Sequence, residues 1–567
     1  MGTEQPSAAD AGSFARRSWA ISSNSLILLV ALWMLLTMNA TFWHAVWQGV
    51  GGWSNTNRWF LVSLPLLVMA WLFGLLSLLS WGRTTRPVLA LMLLLSAAAS
   101  YFMASYGILI DYGMLANVLQ TDPAEAADLL TWRLAGWMLL LGGLPIVLLY
   151  RVQLLQHGWR RELANKLGAM AVALVCIGGI AASNYQSYSS LVRNHREIRL
   201  MLVPSNVLAA THSYFKRKFA GPHKLQVVGE DAYRLLHGGK PKVMLLVVGE
   251  TARAANFSLN GYARDTNPEL QSRGVLNFSQ ASSCGTATAT SVPCMFQDLG
   301  RSKYRDSYAD SRENLLDVLQ RAGITVLWRD NNSGCKEACA RVRYEDVSRL
   351  DLSGLCAGGE CHDAVLLNGL QAYLDGLEND AVIVLHMKGS HGPAYYKRYP
   401  PAFEKFTPVC HDSQLDRCSQ ESIINAYDNT LLYTDHVLGE AIDLLQRNGE
   451  RLDTALLYLS DHGESLGENG IYLHGLPYAL APQEQTRIPM VLWLSRGMQV
   501  RQDIATDCLE AKLEQPASQD NLFHSVLGLM DVHTKAYQAP LDLFRSCRPG
   551  PDGQYAQHVM QPVKAAN

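Results

Sequence analysis

Two fold classes are written into this 567-residue chain, an all-α membrane domain in its first third and an α/β domain in the rest. Three observations predict them. Before about residue 185 the sequence is dominated by Leu, Ala, Val and Trp with few charges, and after about residue 240 it mixes charges, turns and short apolar runs. The short runs end on carboxylates and imidazoles, where open α/β sheets place their chemistry. Ten of the eleven Cys fall after residue 280, as expected of a domain outside the reducing cytoplasm.

Five apolar segments are long enough, or nearly so, to cross a hydrocarbon layer of about 30 Å: Ser25 to Trp43, Phe60 to Trp81, Pro87 to Ile110, Leu134 to Tyr150 and Leu167 to Asn184. The first lacks a small-residue cleavage site and reads as an anchor. Arg16 and Arg17 precede the first segment, Arg83 and Arg86 join the second to the third, and Arg151, Arg160, Arg161 and Lys166 join the fourth to the fifth. Positive loops stay in the cytoplasm, so an odd number of spans starting inside puts everything after the fifth outside it. The loop from Asp111 to Thr131 instead carries Asp122, Glu125 and Asp128. The expected domains are 1–185 (five transmembrane helices), 186–240 (an interfacial bridge) and 241–567 (the catalytic domain). Between about Ser183 and Lys240, Tyr185, Tyr188, Arg193, Arg196, Arg199, Tyr214, Lys216 and Arg217 suit amphipathic helices lying at the bilayer surface.

From Lys242 onward, strand candidates (Val243 to Val248, Ile324 to Trp328, Ala381 to Leu385, Ala455 to Leu459, Ile488 to Leu494) alternate with helix candidates (Glu313 to Arg321, Ala364 to Leu377, Ser422 to Arg447). That alternation predicts a largely parallel sheet with its ligand site at the carboxyl ends of the strands. Those ten cysteines fall mostly at short spacings, Cys284/Cys294, Cys335/Cys339, Cys356/Cys361, Cys410/Cys418 and the later Cys508/Cys547, and their connectivity stays open. An even count in that compartment reads as five disulfides, and no pair has the two-residue spacing that repeated zinc-binding units use. A net charge of -2 and the lack of a basic module argue against nucleic acid as a partner.

The chemistry concentrates at three strand ends. Val243 to Val248 runs into Gly249-Glu250-Thr251, Ala381 to Leu385 leads through His386 to Gly389-Ser390-His391-Gly392, and Thr454 to Leu459 enters Ser460-Asp461-His462-Gly463-Glu464-Ser465. Glu250, Asp461 and His462 with a hydroxyl nucleophile make a mixed oxygen and nitrogen zinc site suited to hydrolytic or transfer chemistry. The small-residue loop Ser282 to Cys294 opens into Val292 to Phe296 and can present a hydroxyl at a helix N-terminus, where N–H groups and the helix dipole stabilise an alkoxide and a phosphate. Composition leaves Thr286, Thr288 and Thr290 as alternatives.

Together with Tyr472-Leu473-His474-Gly475, these motifs resemble the set found in the lipid A phosphoethanolamine transferases, a family that includes the mobile colistin-resistance enzymes. The resemblance implies an alkaline-phosphatase/sulfatase-like fold behind five membrane spans. It implies Thr288 as nucleophile, Glu250, Asp461 and His462 as the remaining ligands of a catalytic Zn2+, and His391 and His474 near the transferred group, where they assist proton transfer or bind additional zinc. It further implies substrate contacts at Asn117, Thr121, Glu125, Asn332, Lys336 and Glu464. Asn117, Thr121 and Glu125 stand at i, i+4 and i+8, one face of a helix, although Pro123 interrupts the stretch. Lys336 can neutralise a phosphate and Glu464 can attract an ammonium.

The expected reaction transfers phosphoethanolamine from phosphatidylethanolamine to a lipid A phosphate through a phosphothreonine-type intermediate. The expected setting is a monomer in the inner membrane of a Gram-negative cell, its catalytic domain in the periplasm among membrane lipids. Rival readings are transfer to lipopolysaccharide core sugars, a membrane phosphodiesterase or sulfatase-like hydrolase, and a scaffold that uses zinc structurally.

Overall fold

The structure, a computed structural model, describes residues 20–50, 58–120, 123–155, 158–219, 224–234, 238–357 and 359–548. It divides into two compact units, one of the chain up to Tyr101 with Arg133–Ser205, the other of Phe102–Trp132 with the chain from Asn206 onward.

In the first unit, apolar side chains line whole helices rather than one stripe. Among the described residues, four helices are long and apolar enough to cross a membrane: Arg58–Leu79, Gly82–Tyr106, Trp132–Arg151 and Trp159–Ser183. A fifth crossing exists if Ser23–Thr37 and Ala40–Gln48, bent by 58° at their junction, form one span. The sequence-predicted segment Ser25 to Trp43 crosses this bend, and Asn39 lies at the junction. The buried Asn39 amide donates to the Met34 carbonyl at 2.9 Å, which also accepts the Met38 N–H at 3.1 Å. Its oxygen accepts the Val203 N–H at 3.0 Å. A second irregularity, a π-helical turn over Met138–Gly143, precedes Pro145. Proline has no N–H to offer the carbonyl one turn back, and the Trp33 indole bonds that Leu141 carbonyl at 3.1 Å. Helices Arg58–Leu79 and Trp159–Ser183 approach closely at Gly74, where a Cβ would meet that of Ala173 at 3.4 Å.

The second unit is built on a seven-stranded sheet. Its strands in chain order are β1 (Lys242–Gly249), β2 (Leu276–Asn277), β3 (Thr325–Asp330), β4 (Arg343–Asp346), β5 (Ala381–His386), β6 (Asp453–Ser460) and β7 (Met490–Leu494). The spatial order is β2-β7-β6-β1-β5-β3-β4. The five strands from β6 to β4 run parallel, and β7 and β2 close one edge antiparallel. All five sequence-predicted strands therefore lie in one largely parallel sheet. β1 is buried on both faces, as central strands covered on both sides must be. Met244, Leu246 and Val248 pack with Phe296 and Phe523 on one side, and Val243, Leu245 and Val247 pack with Leu438 and Ile442 of the helix Gln420–Arg447 on the other.

The helix Leu315–Arg321 starts at Asn314 in a capping box with Asp317, and Gln420–Arg447 starts at Ser419, whose side chain accepts the Ser422 N–H. The predicted helix Ala364 to Leu377 is two short pieces, Asp363–Leu367 and Leu370–Asp375, divided at Gly369, whose φ of 71° a helix cannot continue. The five expected disulfides are all formed, and Cys176 is the one free cysteine among the described residues.

Candidate active site

The parallel pairing of β1 with β6 sets Gly249 opposite Ser460, so the next residues, Glu250 and Asp461, leave the sheet side by side. The Asp461 N–H closes the junction on the Gly249 carbonyl at 2.9 Å. β5, on the other flank of β1, delivers Gly389 against the Glu250 backbone, and a Cβ there would fall 2.6 Å from the Glu250 carbonyl. Gly463 is equally constrained, since a Cβ would stand 2.0 Å from the Glu484 carbonyl. Between them Thr251 holds φ 54°, a left-handed conformation rare for a β-branched residue. It is fixed by its N–H on Asp461 Oδ1 (3.1 Å) and by the Tyr427 hydroxyl on its carbonyl (2.7 Å).

Thr288 is the first residue of the helix Thr288–Met295, preceded by the extended N-cap Ala287 and bracketed by the Cys284–Cys294 disulfide. Its Oγ1 lies 3.1 and 3.0 Å from the two Glu250 carboxylate oxygens and 3.3 Å from His462 Nε2. His462 Nε2 stands 3.4 Å from Glu250 Oε1 and 3.3 Å from Asp461 Oδ2. Of the three threonines that composition left open, the structure places Thr288 among the carboxylates. The Thr286 hydroxyl is engaged on the Leu476 carbonyl at 2.6 Å.

This donor set fits a divalent metal. Glu250, Asp461 and His462 are fully buried and offer ligand atoms within 4.8 Å of one another. Asp461 Oδ1 accepts the N–H groups of Thr251 and His462, whereas Oδ2, buried, accepts no hydrogen bond and is aimed at His462. Buried charges need a partner or a metal. The His462 Nδ1–H donates to the Gly463 carbonyl at 2.9 Å, which turns the Nε2 lone pair into the cluster. Burial pulls the His462 pKa down to about 4, so the ring is neutral and able to ligate at neutral pH.

The histidines expected near the transferred group are also brought in. The His474 ring lies 4.3 Å from that of His462 and 5.4 Å from that of His391, centroid to centroid. Burial, and then the neighbouring His474 and Arg398, hold His391 well below the usual histidine range. Glu464 is fully buried and both its oxygens are engaged, one facing His474 Nδ1 at 3.0 Å and the other accepting the Tyr395 hydroxyl at 3.1 Å. Burial raises the Glu464 pKa. This arrangement gives Glu464 the work of orienting His474. Asn332 donates to Glu250 Oε2 at 2.8 Å and to the Met387 carbonyl at 2.8 Å, so it fixes the Glu250 carboxylate. Lys336, at φ 49°, folds its ammonium onto Ser333.

Asn117 lies half-buried in the helix Tyr112–Gln120, which packs against the helix Thr288–Met295. Thr121 and the Glu125 side chain lie outside the described residues. A separate short helix begins at Pro123. Sequence reasoning missed Tyr395, Tyr427 and Gln519. None stands in a recognisable motif, and only the fold brings them to the site.

Comparison with known proteins finds relatives along most of the chain. The family described as Sulfatase matches residues 242–532, and the family described as Phosphoethanolamine transferase EptA/EptB matches residues 68–219. Phosphoethanolamine transferase EptA of Escherichia coli (strain K12) is 44% identical over 527 residues, covering 92% of this chain and 96% of the relative. Phosphatidylethanolamine transferase Mcr-1 of Escherichia coli is 38% identical over 533 residues, covering 91% and 96%. The integral membrane lipooligosaccharide phosphoethanolamine transferase A (EptA) of Neisseria meningitidis superposes with a TM-score of 0.90 at 38% identity, over 93% of this chain and 99% of that one.

Proposed function

The chain belongs to the lipid A phosphoethanolamine transferase family, and from that membership and the site geometry we propose that it moves phosphoethanolamine from phosphatidylethanolamine to a lipid A phosphate. The observation that carries the reading is a buried Thr288 hydroxyl within 3.3 Å of two metal-ligating side chains at a helix N-terminus. Glu250, Asp461, His462 and Thr288 would hold the metal, which we take to be zinc from the mixed oxygen and nitrogen donors. When bound, zinc lowers the pKa of the nucleophile and stabilises charge on phosphoryl oxygens.

Thr288 Oγ1, already deprotonated to the alkoxide, attacks the donor phosphorus; the Oγ1–P bond forms, and the bond from phosphorus to the diacylglycerol oxygen breaks. His474, oriented by Glu464, gives the leaving alkoxide a proton. A lipid A phosphate oxygen then attacks the same phosphorus and Thr288 Oγ1 leaves, with His391 or His474 managing the acceptor proton. The product carries an added ammonium, which weakens attraction for cationic peptides such as polymyxin.

The reading includes five spans with the N-terminus inside, a bridging region 186–240 and a periplasmic catalytic domain at the inner membrane. Donor and acceptor are both lipids, and extracting a chain costs about 0.8 kcal/mol per CH₂, so a membrane-held enzyme is favoured. Lipid A mass spectrometry from cells expressing wild type or Thr288→Ala tests it, with phosphoethanolamine expected only from wild type. Equal modification by both, mass added to core sugars alone, or free phosphoethanolamine without a modified acceptor would each refute it.

A further inference from the structure

The strand Pro516–Ser518 runs parallel to Gln280–Ser282, the segment that leads into the Thr288 loop, and their register pairs Ser518 with Ser282. The next residue, Gln519, is completely buried. Its Oε1 accepts the Cys284 N–H at 2.6 Å and lies 2.9 Å from the Ser291 hydroxyl. Its Nε2 donates to the Ser460 and Asp461 carbonyls, both at 2.8 Å. Ser291 stands one helical turn after Thr288, and its hydroxyl also reaches the Asp461 carbonyl at 2.5 Å. The amide orientation is dictated by its surroundings, because an N–H must meet oxygen and two carbonyls must meet the NH₂ group. One side chain thus ties the loop that enters the nucleophile helix, at Cys284, and the first turn of that helix, at Ser291, to the backbone that carries Asp461 and His462.

We infer that Gln519 is a positioning residue that fixes Thr288 against the metal-ligand loop. The two loops come from distant parts of the chain and share no continuous strand, so their spacing depends on cross-links of this kind. Thr288 is correctly placed only while the helix turn and the Asp461 backbone keep one separation, and a misplacement of about 1 Å costs about 100-fold in rate. Glutamate cannot replace Gln519, since a carboxylate would face two carbonyl oxygens. The inference rests on the transfer reading for its rate consequence and on geometry alone for its structural one.

The test uses the full-length protein in detergent with phosphatidylethanolamine as donor and compares wild type, Gln519→Leu, Ser291→Ala and the double variant. For Gln519→Leu we expect phospho-threonine formation, followed by intact mass, to slow about 100-fold, while zinc content and donor KM stay within twofold of wild type. Ser291→Ala should slow it less, and the double variant should be no slower than Gln519→Leu, because both residues act through one hydrogen-bonded unit. Hydrogen exchange should quicken in segments 283–295 and 460–466. A wild-type rate, additive losses, or a rate loss that merely tracks lost zinc or thermal stability overturns the inference. Should Gln519→Leu fail to fold, Ser291→Ala decides by the same criteria. Unchanged exchange in both segments overturns it even if the chain proves to catalyse another reaction, and quickened exchange without any wild-type intermediate faults the transfer reading instead.

Discussion

Replacing Asn332 by Ala separates two roles that its position allows. The amide N–H bonds to Glu250 Oε2 and the Met387 carbonyl are both 2.8 Å long and buried. A hydrogen bond to a charged acceptor contributes about 1.5–3 kcal/mol. At about 1.4 kcal/mol per factor of ten, its loss predicts zinc binding weaker by roughly 10- to 150-fold. Partners that orient metal ligands show losses of the same order, about 10- to 100-fold. The assay is zinc affinity of the full-length protein by competition with a chromophoric chelator, followed by donor KM at saturating zinc. Weakened zinc binding with donor KM nearly unchanged is expected. Unaltered zinc affinity with a raised KM would refute the reasoning and return Asn332 to the substrate contacts that the sequence resemblance suggested.

Two further predictions concern stability. His524 is 1% exposed, accepts the Gln538 N–H on Nδ1 at 3.1 Å, and burial lowers its pKa to about 4. The folded pKa lies below the unfolded value near 6.5, so the neutral ring's contribution is complete above about pH 6.5 and is lost as pH falls toward 4; over 2.5 units this is about 3 kcal/mol. Thermal melts from pH 7 to 4 should show a shallower decline for His524→Gln than for wild type, and parallel curves would contradict the assignment. Among the disulfides, Cys508–Cys547 spans 39 residues and Cys335–Cys339 spans 4. Loop entropy then predicts that replacing the first pair by Ser costs about 2 kcal/mol more than replacing the second. Equal losses in denaturant melts would show that local packing outweighs chain entropy here.

The β strands were legible because a strand buried on both faces is a short unbroken apolar run, and β1, β5 and β6 are such runs. The candidate metal cluster was legible because Glu250, Asp461 and His462 follow directly on those runs, and a parallel sheet aligns their ends. Five apolar segments were countable from length and charge, but the bend at Asn39 was not, since an Asn within a hydrophobic stretch shows no partner until Val203 arrives from 164 residues away. The split of the predicted helix at Gly369 was missed because apolar spacing continues across a residue whose backbone leaves the helix.

The substrate-side expectations divide along the same physical line. A sequence motif records which side chains stand near a strand end, and it does not record what they touch. Glu464 was read as able to attract an ammonium, yet both its oxygens are taken up by His474 and Tyr395. Lys336 was read toward phosphate, and its ammonium bonds Ser333.

By itself the sequence predicted the two fold classes, the number of disulfides and the candidate metal triad, because each depends on composition, on cysteine parity or on the ends of local apolar runs. Tertiary structure alone decided which of the alternative threonines faces the carboxylates, which side chain orients which histidine, and that Gln519 joins the nucleophile loop to the Asp461 backbone. The threonine reaches Glu250 across 38 residues and Gln519 reaches Cys284 across 235. Their geometry follows from how the sheet aligns its strand ends, which no stretch of sequence contains.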